Sequence, residues 1–318
     1  MLSSTSNSET HEFVAPVVRN AILALLICVL AVVALLEVGT RASVYRISKN
    51  LSRIHQELLI AAQVGEMHGD AQQILLLGNS LLLNDVNIDM MKEVLSPAQE
   101  VNRFAIQATT FYDWYFGIKG LLGKGSSPDV VVLCFEPRHL ILSGIRNDIF
   151  AHYLMRGEDL FDVGRRLRLN WSETFDLFLA NQSTFYALRK ELRQVLLGRL
   201  LPELPNLTAR IVRAPKPQPD PEALRALGKE RLLATQELFR GVTSKFVLLV
   251  MPPVEPDSLQ IIRTVGREIG LTVLAPLTGD GINDADYQSD GYHLNDQGRD
   301  KFTKALLPLL GKLKGETM

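Results

Sequence analysis

Short, wholly apolar runs that alternate with helical segments are the feature of this sequence that most constrains its fold. The first run is ILLL at 74–77, and the clearest is DVVVLCF at 129–135, which is rich in β-branched residues. Strands that are apolar on both faces are typical of a parallel sheet covered by helices on both sides. The pattern predicts further strands at 100–106, 245–251 and 271–275.

Helical segments fall between these strands. They are predicted at 80–95, 111–122, 221–240, 256–269 and 296–313. Strands and helices in this order predict an α/β fold, in which a five-stranded parallel sheet forms the middle of a three-layer αβα sandwich. With 318 residues, of which 47% are hydrophobic, the chain can bury one large core.

The alternation breaks between the third and fourth strands. Residues 140–200 are predicted to be helical, and the segment 201–224 contains six prolines, which predicts an irregular loop. We therefore expect a helical insertion at about 140–240, inside a domain that covers 71–318.

The N-terminus carries an uncharged apolar run, AILALLICVLAVVALL, at 21–36. Extended back to Val17, it has about the length that crosses a bilayer. A cleaved signal peptide is the alternative, but its apolar region would span only ~7–15 residues and end at a small-residue cleavage site. We predict an N-terminal tail at 1–16, a transmembrane anchor at 17–38 and a helical stalk at 39–70.

A stripe of apolar residues follows the anchor at alternating spacings of three and four, from Val44 to Ala61. The stripe is shorter than a coiled coil usually requires. A helix that packs on the domain or stands as a stalk is therefore favoured over a dimer zipper.

Positive charges around the anchor bear on its orientation. Arg19 is the only lysine or arginine before the apolar run, whereas Arg41, Arg46, Lys49 and Arg53 follow it. Taken alone, the positive-inside rule would leave the main domain in the cytoplasm.

Overall charge and cysteine content exclude several classes of partner. The chain has 34 basic and 35 acidic residues, a net charge of -1, and no basic stripe interleaved with aromatic residues. Nucleic acid binding is therefore not predicted. The two cysteines, Cys28 and Cys134, form neither a zinc motif nor a disulfide framework, so we predict no metal and no cofactor.

Ser80 is the first candidate catalytic residue in the chain. It follows the first strand in ILLLGNSLLL and begins the next helix. In open α/β sheets ligands bind at the carboxyl edge, and a helix N-terminus favours a developing negative charge. The alternative is that Ser80 is only a helix N-cap, a position that serine often occupies.

His293 is the histidine that best fits a base for Ser80. It lies in SDGYHLNDQG, three positions after Asp290. Asp290 can then hold the Nδ1–H group, which leaves Nε2 free to accept a proton from Ser80. The alternative is that Asp290 and Asn295 cap the last helix and that His293 lies on the surface.

Together, LLLGNSLL and DGYHLNDQG resemble the first and last blocks of the SGNH/GDSL hydrolase superfamily. The resemblance covers roughly 71–139 and 243–313. It implies a flavodoxin-like fold and chemistry on ester or acyl groups. It also implies a catalytic triad with Ser80 as nucleophile, His293 as base and Asp290 as the residue that orients the base.

Three positions depart from the family pattern. Asn79 stands where an aspartate usually precedes the serine. In FAIQATT, Ala108 stands where a glycine N–H usually contributes to the oxyanion hole, although alanine keeps that N–H. The third block usually ends in Gly-x-Asn-Asp but reads EPRHL here, which leaves Arg138 or His139 as the replacement donor. The expected oxyanion hole is Ser80, Ala108 and Arg138, and loss of one donor can cost ~10²–10³-fold in rate.

The chain also resembles membrane-anchored members of the superfamily that take part in acylation of bacterial cell-surface polysaccharides. This implies an acyl-ester hydrolase or O-acyltransferase, with acetyl as the expected group, a carbohydrate acceptor and a multi-spanning membrane acyltransferase as partner. It places the protein in the bacterial cytoplasmic membrane with its domain outside, against the charge count. A simple carboxylesterase or deacetylase, and a non-catalytic assembly partner in polysaccharide export, remain alternatives.

Overall fold

The computed structural model describes residues 9–65, 70–146, 149–201, 218–277 and 281–316. The first eight residues of the predicted tail and most of the predicted proline-rich loop lie outside these ranges. The five strands are β1 (Gln72–Gly78), β2 (Gln99–Ala105), β3 (Val130–Phe135), β4 (Lys245–Val250) and β5 (Thr272–Leu274).

The strands form one sheet in the order β2-β1-β3-β4-β5, and all of them are parallel. This is the flavodoxin-like order. Strand β2 is added on one side of β1 and strands β3 to β5 on the other, which leaves a crevice between β1 and β3 at the carboxyl edge. The predicted five-stranded α/β sandwich is confirmed.

The longer helices surround the sheet and build the insertion. They are α1 (Glu9–Ile47), α2 (Lys49–Gln63), α3 (Ser80–Asp85), α4 (Ile88–Leu95), α5 (Phe111–Gly123), α6 (Leu160–Arg166), α7 (Trp171–Gln182), α8 (Thr184–Leu200), α9 (Pro221–Leu238), α10 (Pro256–Ile269) and α11 (Asp296–Lys312). The single helix predicted at 80–95 is therefore two helices, because the chain turns at Val86 and Asn87.

Strand β1 lies near the middle of the sheet and is buried along its whole length. Leu75 and Leu77 belong to the core on one face, and Ile74 and Leu76 to the core on the other. Gly78 ends the strand where a Cβ atom would lie 2.9 Å from the carbonyl oxygen of Cys134. Glycine is required at this point because the backbones of β1 and β3 approach closely just before Ser80.

Helix α2 packs on the domain. Leu51, Ile54 and Ala61 are fully buried in the main core. The carboxylate of Glu57 accepts the N–H of Ala105 at 2.9 Å, at the carboxyl end of β2. Within the described residues, the helical segment predicted at 39–70 thus packs on the domain, one of the two arrangements left open for it, because its apolar stripe covers the sheet.

Helix α1 has two parts with different surroundings. One helix near the N-terminus, Val17–Ile47, is long and apolar enough to cross a membrane. By length and composition it is a candidate membrane span or signal sequence. Its last turns enter the domain, where Val44 is fully buried and Glu37 accepts the N–H groups of Thr184 and Phe185 at the start of α8.

A buried arginine of α9 connects the end of the insertion to its start and to α5. The Arg231 guanidinium, only 6% exposed, donates to the carbonyl oxygens of Leu140 at 2.5 Å and Leu142 at 2.9 Å. It also lies over the rings of Phe111 and Tyr112. These contacts join α9 to the start of the insertion and to α5.

We expect Arg231→Ala to destabilise the protein by ~2–4 kcal/mol, because two buried carbonyl groups lose their donor and the cation–π contacts disappear. The measurement is the free energy of unfolding by urea. Arg240→Ala, at an exposed position in the turn just after the same helix, is the control and should change the free energy of unfolding little. Equal effects of the two variants would contradict this role of Arg231.

Candidate active site

The hydroxyl of Ser80 does not cap helix α3. The N-cap is Asn79, whose side-chain Oδ1 accepts the N–H of Leu81 at 3.0 Å. The Nδ2 group of Asn79 donates to the carbonyl oxygen of Thr109 at 3.3 Å, a bond that an ionised aspartate could not make. Asparagine thus caps the helix, connects it to the segment after β2 and leaves the Ser80 hydroxyl available.

The structure brings Ser80, His293 and Asp290 together at the carboxyl edge of the sheet. His293 Nε2 lies 2.9 Å from Ser80 Oγ, and His293 Nδ1 lies 2.7 Å from Asp290 Oδ2. Asn295 caps α11 through the N–H of Gly298, as one alternative predicted, but Asp290 does not. Its second oxygen instead accepts the N–H of His293 at 3.0 Å.

Asp290 is held as a carboxylate. Partial burial alone would raise its pKa, but hydrogen bonds from the His293 ring and from the N–H groups of His293 and Tyr292 outweigh burial and lower the pKa to about 2. A charged Asp290 fixes the proton of His293 on Nδ1 and turns the Nε2 lone pair toward the serine. The same charge would stabilise the imidazolium that forms if Nε2 takes the serine proton.

The segment after β2 adopts a strained backbone at Ala108, whose φ is 58°. This is the left-handed region, which disfavours residues with a Cβ and which the usual glycine would occupy without strain. Hydrogen bonds hold the turn: the Thr109 hydroxyl donates to the Ile106 carbonyl at 2.6 Å, and Arg146 donates to the Gln107 carbonyl at 2.7 Å. Among the described residues, no protein acceptor receives the N–H of Ala108.

A polar cluster occupies the end of β3, where the third block lacks its asparagine. The Tyr292 hydroxyl lies 3.3 Å from Glu136 Oε2 and 3.4 Å from His139 Nε2. The guanidinium of Arg138 lies 3.3 Å from the same Glu136 oxygen and over the Tyr292 ring. The link between Tyr292 and this block is not apparent from the sequence, and the role of Arg138 in an oxyanion hole stays a prediction.

Asp85, the last residue of α3, is a second feature that sequence analysis missed. It is fully buried, and its Oδ1 accepts the N–H of Leu294, the neighbour of His293, at 2.9 Å. Its pKa is raised to about 8. Burial is the main cause and the charge of Asp290 adds to it, while the hydrogen bond from Leu294 offsets part of the rise. The only signal in the sequence is an acid two positions after the apolar run Leu81–Leu83.

A cleft of about 480 Å³ adjoins the loop that carries Asp290. Its walls come from the end of β4 and from the segment before α11, and include Pro252, Pro253, Leu277, Tyr287 and Gly291. Within the described ranges, no group of three or more His, Cys, Asp or Glu side chains is placed to hold a metal ion.

Fold and site together define a class: a flavodoxin-like α/β sandwich with a Ser-His-Asp triad geometry at the carboxyl edge of its sheet. The serine stands at the start of one helix, and the histidine precedes another. The fold that the resemblance to SGNH/GDSL hydrolases implies is the fold that the chain has, and both sequence blocks lie at the expected edge.

No protein-family model matches the chain, and no curated protein matches it. Solved structures similar to it include TesA, with 14% identity and a TM-score of 0.41 over 76% of this chain and 99% of that chain. Esterase EstA from Pseudoalteromonas sp. has 9% identity and a TM-score of 0.42, over 77% of this chain and 100% of that chain. A carbohydrate esterase family 3 protein from Talaromyces cellulolyticus has 10% identity and a TM-score of 0.39 over 77% and 99%. Likeness at this level assigns no activity or substrate to this chain.

We expect Ala108→Gly to stabilise the protein by up to about 1 kcal/mol, because relief of ~1–2 kcal/mol of left-handed strain is partly offset by the flexibility of unfolded glycine. The measurement is again urea unfolding. Ala226→Gly, at an exposed position inside α9, is the control and should destabilise by about 0.5–1 kcal/mol. A loss of stability in both variants would contradict strain at Ala108.

Asp85 should make stability fall as pH rises. Its pKa is about 8 in the folded protein and 3.8 for the unperturbed carboxyl, so the folded state binds the proton more tightly between these values. Stability should therefore decrease from about pH 4 to about pH 8, by up to ~1.4 kcal/mol per pH unit from this group.

The difference in unfolding free energy between the wild type and Asp85→Asn isolates this contribution, because asparagine does not titrate. The free energy of unfolding of Asp85→Asn should increase relative to that of the wild type as pH rises through the same interval. A difference that is constant from pH 4.5 to 7.5 would show that Asp85 is already ionised throughout.

Proposed function

We propose that this protein is a serine-dependent enzyme that breaks or transfers acyl esters through an acyl-enzyme on Ser80. The observation that carries the proposal is the pair of hydrogen-bond distances, 2.9 Å from Ser80 Oγ to His293 Nε2 and 2.7 Å from His293 Nδ1 to Asp290 Oδ2. A serine hydroxyl becomes an effective nucleophile only with such a base, and the base needs a fixed tautomer.

In the first step, Ser80 Oγ attacks the acyl carbonyl carbon while its proton passes to His293 Nε2. The tetrahedral intermediate carries negative charge on the former carbonyl oxygen, and the ionised Asp290 stabilises the imidazolium. His293 then returns the proton to the departing alkoxide. The C–O bond to the alcohol breaks, and the acyl group remains on Ser80.

In the second step, an acceptor hydroxyl gives its proton to His293 and attacks the acyl-enzyme. Collapse of the second tetrahedral intermediate releases Ser80, which recovers the proton from His293. Water as acceptor yields a free acid, and a sugar hydroxyl yields a new ester. The extent to which the site excludes water decides between them.

The negative oxygen needs hydrogen-bond donors. We assign the N–H groups of Ser80 and Ala108 to this role, because both follow carboxyl ends of neighbouring strands and, within the described part of the chain, neither has a protein acceptor. The start of α3 adds the positive end of a helix dipole. Arg138 is the proposed third donor, in place of the asparagine that the family uses.

The proposed substrate is an O-acyl ester, with acetyl as the group and a cell-surface polysaccharide as the acceptor or donor. The support is the resemblance to membrane-anchored members of the superfamily, together with the candidate membrane span at Val17–Ile47. On this proposal the protein is a single-pass protein of the bacterial cytoplasmic membrane, its domain lies outside, and a multi-spanning membrane acyltransferase supplies the acyl group.

Serine-directed labelling tests the nucleophile. A fluorophosphonate should label the detergent-solubilised wild type, and Ser80→Ala and His293→Ala should abolish labelling and esterase activity. Asp290→Asn should reduce activity strongly but less completely; the equivalent change in a known triad costs ~10⁴-fold in kcat. Ser172→Ala, in the exposed first turn of α7, is the control and should label like the wild type. A folded wild type that neither labels nor hydrolyses esters would refute the proposal.

A labelled acetyl donor offered with an acetylatable oligosaccharide separates transfer from hydrolysis. Labelled oligosaccharide is the expected product. Free labelled acetate as the sole product would contradict transfer and indicate a simple esterase.

Protease treatment of spheroplasts tests the orientation, because a domain outside the membrane should be digested and a cytoplasmic one protected.

A further inference from the structure

Asp85 and Ser80 are the two ends of the same short helix. Helix α3 starts at Ser80 and ends at Asp85, and it packs against β1 and α11. Asp85 is fully buried, although its side chain is acidic and no cation is bonded to it within the described residues. A carboxyl group in such a position needs a physical reason, since burial without compensation is costly.

Both ends of α3 contact consecutive residues of the loop before α11. Ser80 Oγ lies 2.9 Å from the ring of His293, and Asp85 Oδ1 accepts the backbone N–H of Leu294 at 2.9 Å. The next N–H, that of Asn295, donates to the backbone carbonyl of Asp286. The bond from Asp85 therefore holds the chain directly after the histidine to the helix that carries the serine.

The chemical state of Asp85 follows from its surroundings. Its Oδ2 is buried, and the described structure shows no hydrogen-bond partner for it. Burial raises the pKa to about 8, and the ionised Asp290 acts in the same direction. Nearby Tyr287 is neutral as well, since burial and the neighbouring acids raise its pKa to about 12. Asp85 thus carries a proton at neutral pH and acts as an uncharged acceptor.

We propose that Asp85 is a positioning residue, which holds the backbone at Leu294 and thereby keeps the His293 ring within hydrogen-bond distance of Ser80. This inference rests on the proposed function of the triad. Asp85 does not touch the reacting atoms; it acts through Leu294. The role requires an oxygen acceptor of the right length and no negative charge, because a second carboxylate would repel Asp290, which must stay ionised.

Two substitutions separate the effect of the Asp85 acceptor oxygen from the effect of the ionisable carboxyl group. Asp85→Asn keeps the shape and the acceptor oxygen, whereas Asp85→Ala removes the acceptor. Asp159→Asn is the matched control, because Asp159 is also buried but binds Lys119 of α5 and Arg156 of the insertion, away from the triad. Each variant is prepared as the full chain in detergent, and its thermal unfolding is recorded before activity is measured.

The readouts are kcat and KM for p-nitrophenyl acetate and the rate of fluorophosphonate labelling. Asp85→Ala should lower kcat and the labelling rate by about 10- to 100-fold, because a displacement of about 1 Å at a catalytic base has effects of this size. The KM should change by less than about 3-fold, since Asp85 does not contact the ester. Asp85→Asn should keep kcat within about 3-fold of the wild type, and Asp159→Asn should match the wild type.

Two results would overturn the inference. One is a folded Asp85→Ala variant with wild-type kcat, which would make the contact structural only. The other is an Asp85→Asn variant that melts like the wild type but loses at least about 10-fold in kcat, which would show that a carboxyl group itself is needed. The second result decides the matter even if Asp85→Ala does not fold.

The same experiment separates this inference from the proposed function. If the folded wild type neither hydrolyses the ester nor reacts with the fluorophosphonate, the proposed function fails and the inference fails with it. If the wild type is active and Ser80→Ala is not, but the Asp85 variants do not follow the expected pattern, only the inference about Asp85 fails.

Discussion

The parallel direction of all five strands is the constraint on which the site depends. Parallel strands end at one edge, so the segments that follow β1, β2 and β3 meet there although they are distant in sequence. Ser80, Ala108 and the EPRHL segment follow these three strands. The last helix then packs beside α3, which brings His293 to the same edge. A sheet buried on both faces thus determines where chemistry can occur.

At that edge, the residue that caps the helix is not one of the residues that form the acid–base array. Asn79 caps α3, and Ser80 is left free to face His293. Asp290 binds both the ring and the backbone of His293, so that one carboxylate sets the tautomer and shapes the loop. Asp85 binds the same loop one residue later. Asn79, His293 and Asp290 therefore each have a partner that fixes the direction of the side chain, which is what preorganised catalysis requires.

The departures from the family pattern have physical counterparts in the structure. Ala108 adopts the left-handed backbone that a glycine would adopt easily, which indicates that the conformation matters more than the strain it costs. Where the pattern that the chain resembles has a single asparagine amide, this chain has Glu136, Arg138 and His139, and this group packs against Tyr292. These contacts connect the EPRHL segment to Tyr292, the residue that precedes His293.

The sequence by itself determined the order and type of the strands, the insertion, the apolar N-terminal helix and the pairing of Ser80 with His293 and Asp290. All but the last rest on local patterns of apolar runs and turn residues. The pairing rests on the three-residue spacing between Asp290 and His293 and on the resemblance of the two sequence blocks to a known superfamily. The tertiary structure alone decided that α2 covers the sheet, that Asn79 rather than Ser80 is the cap, and that Tyr292 joins the third block. It alone placed Asp85 behind the histidine loop. Burial and long-range contacts decide these points, because the same residue types would be solvated or unpaired if their distant partners lay elsewhere.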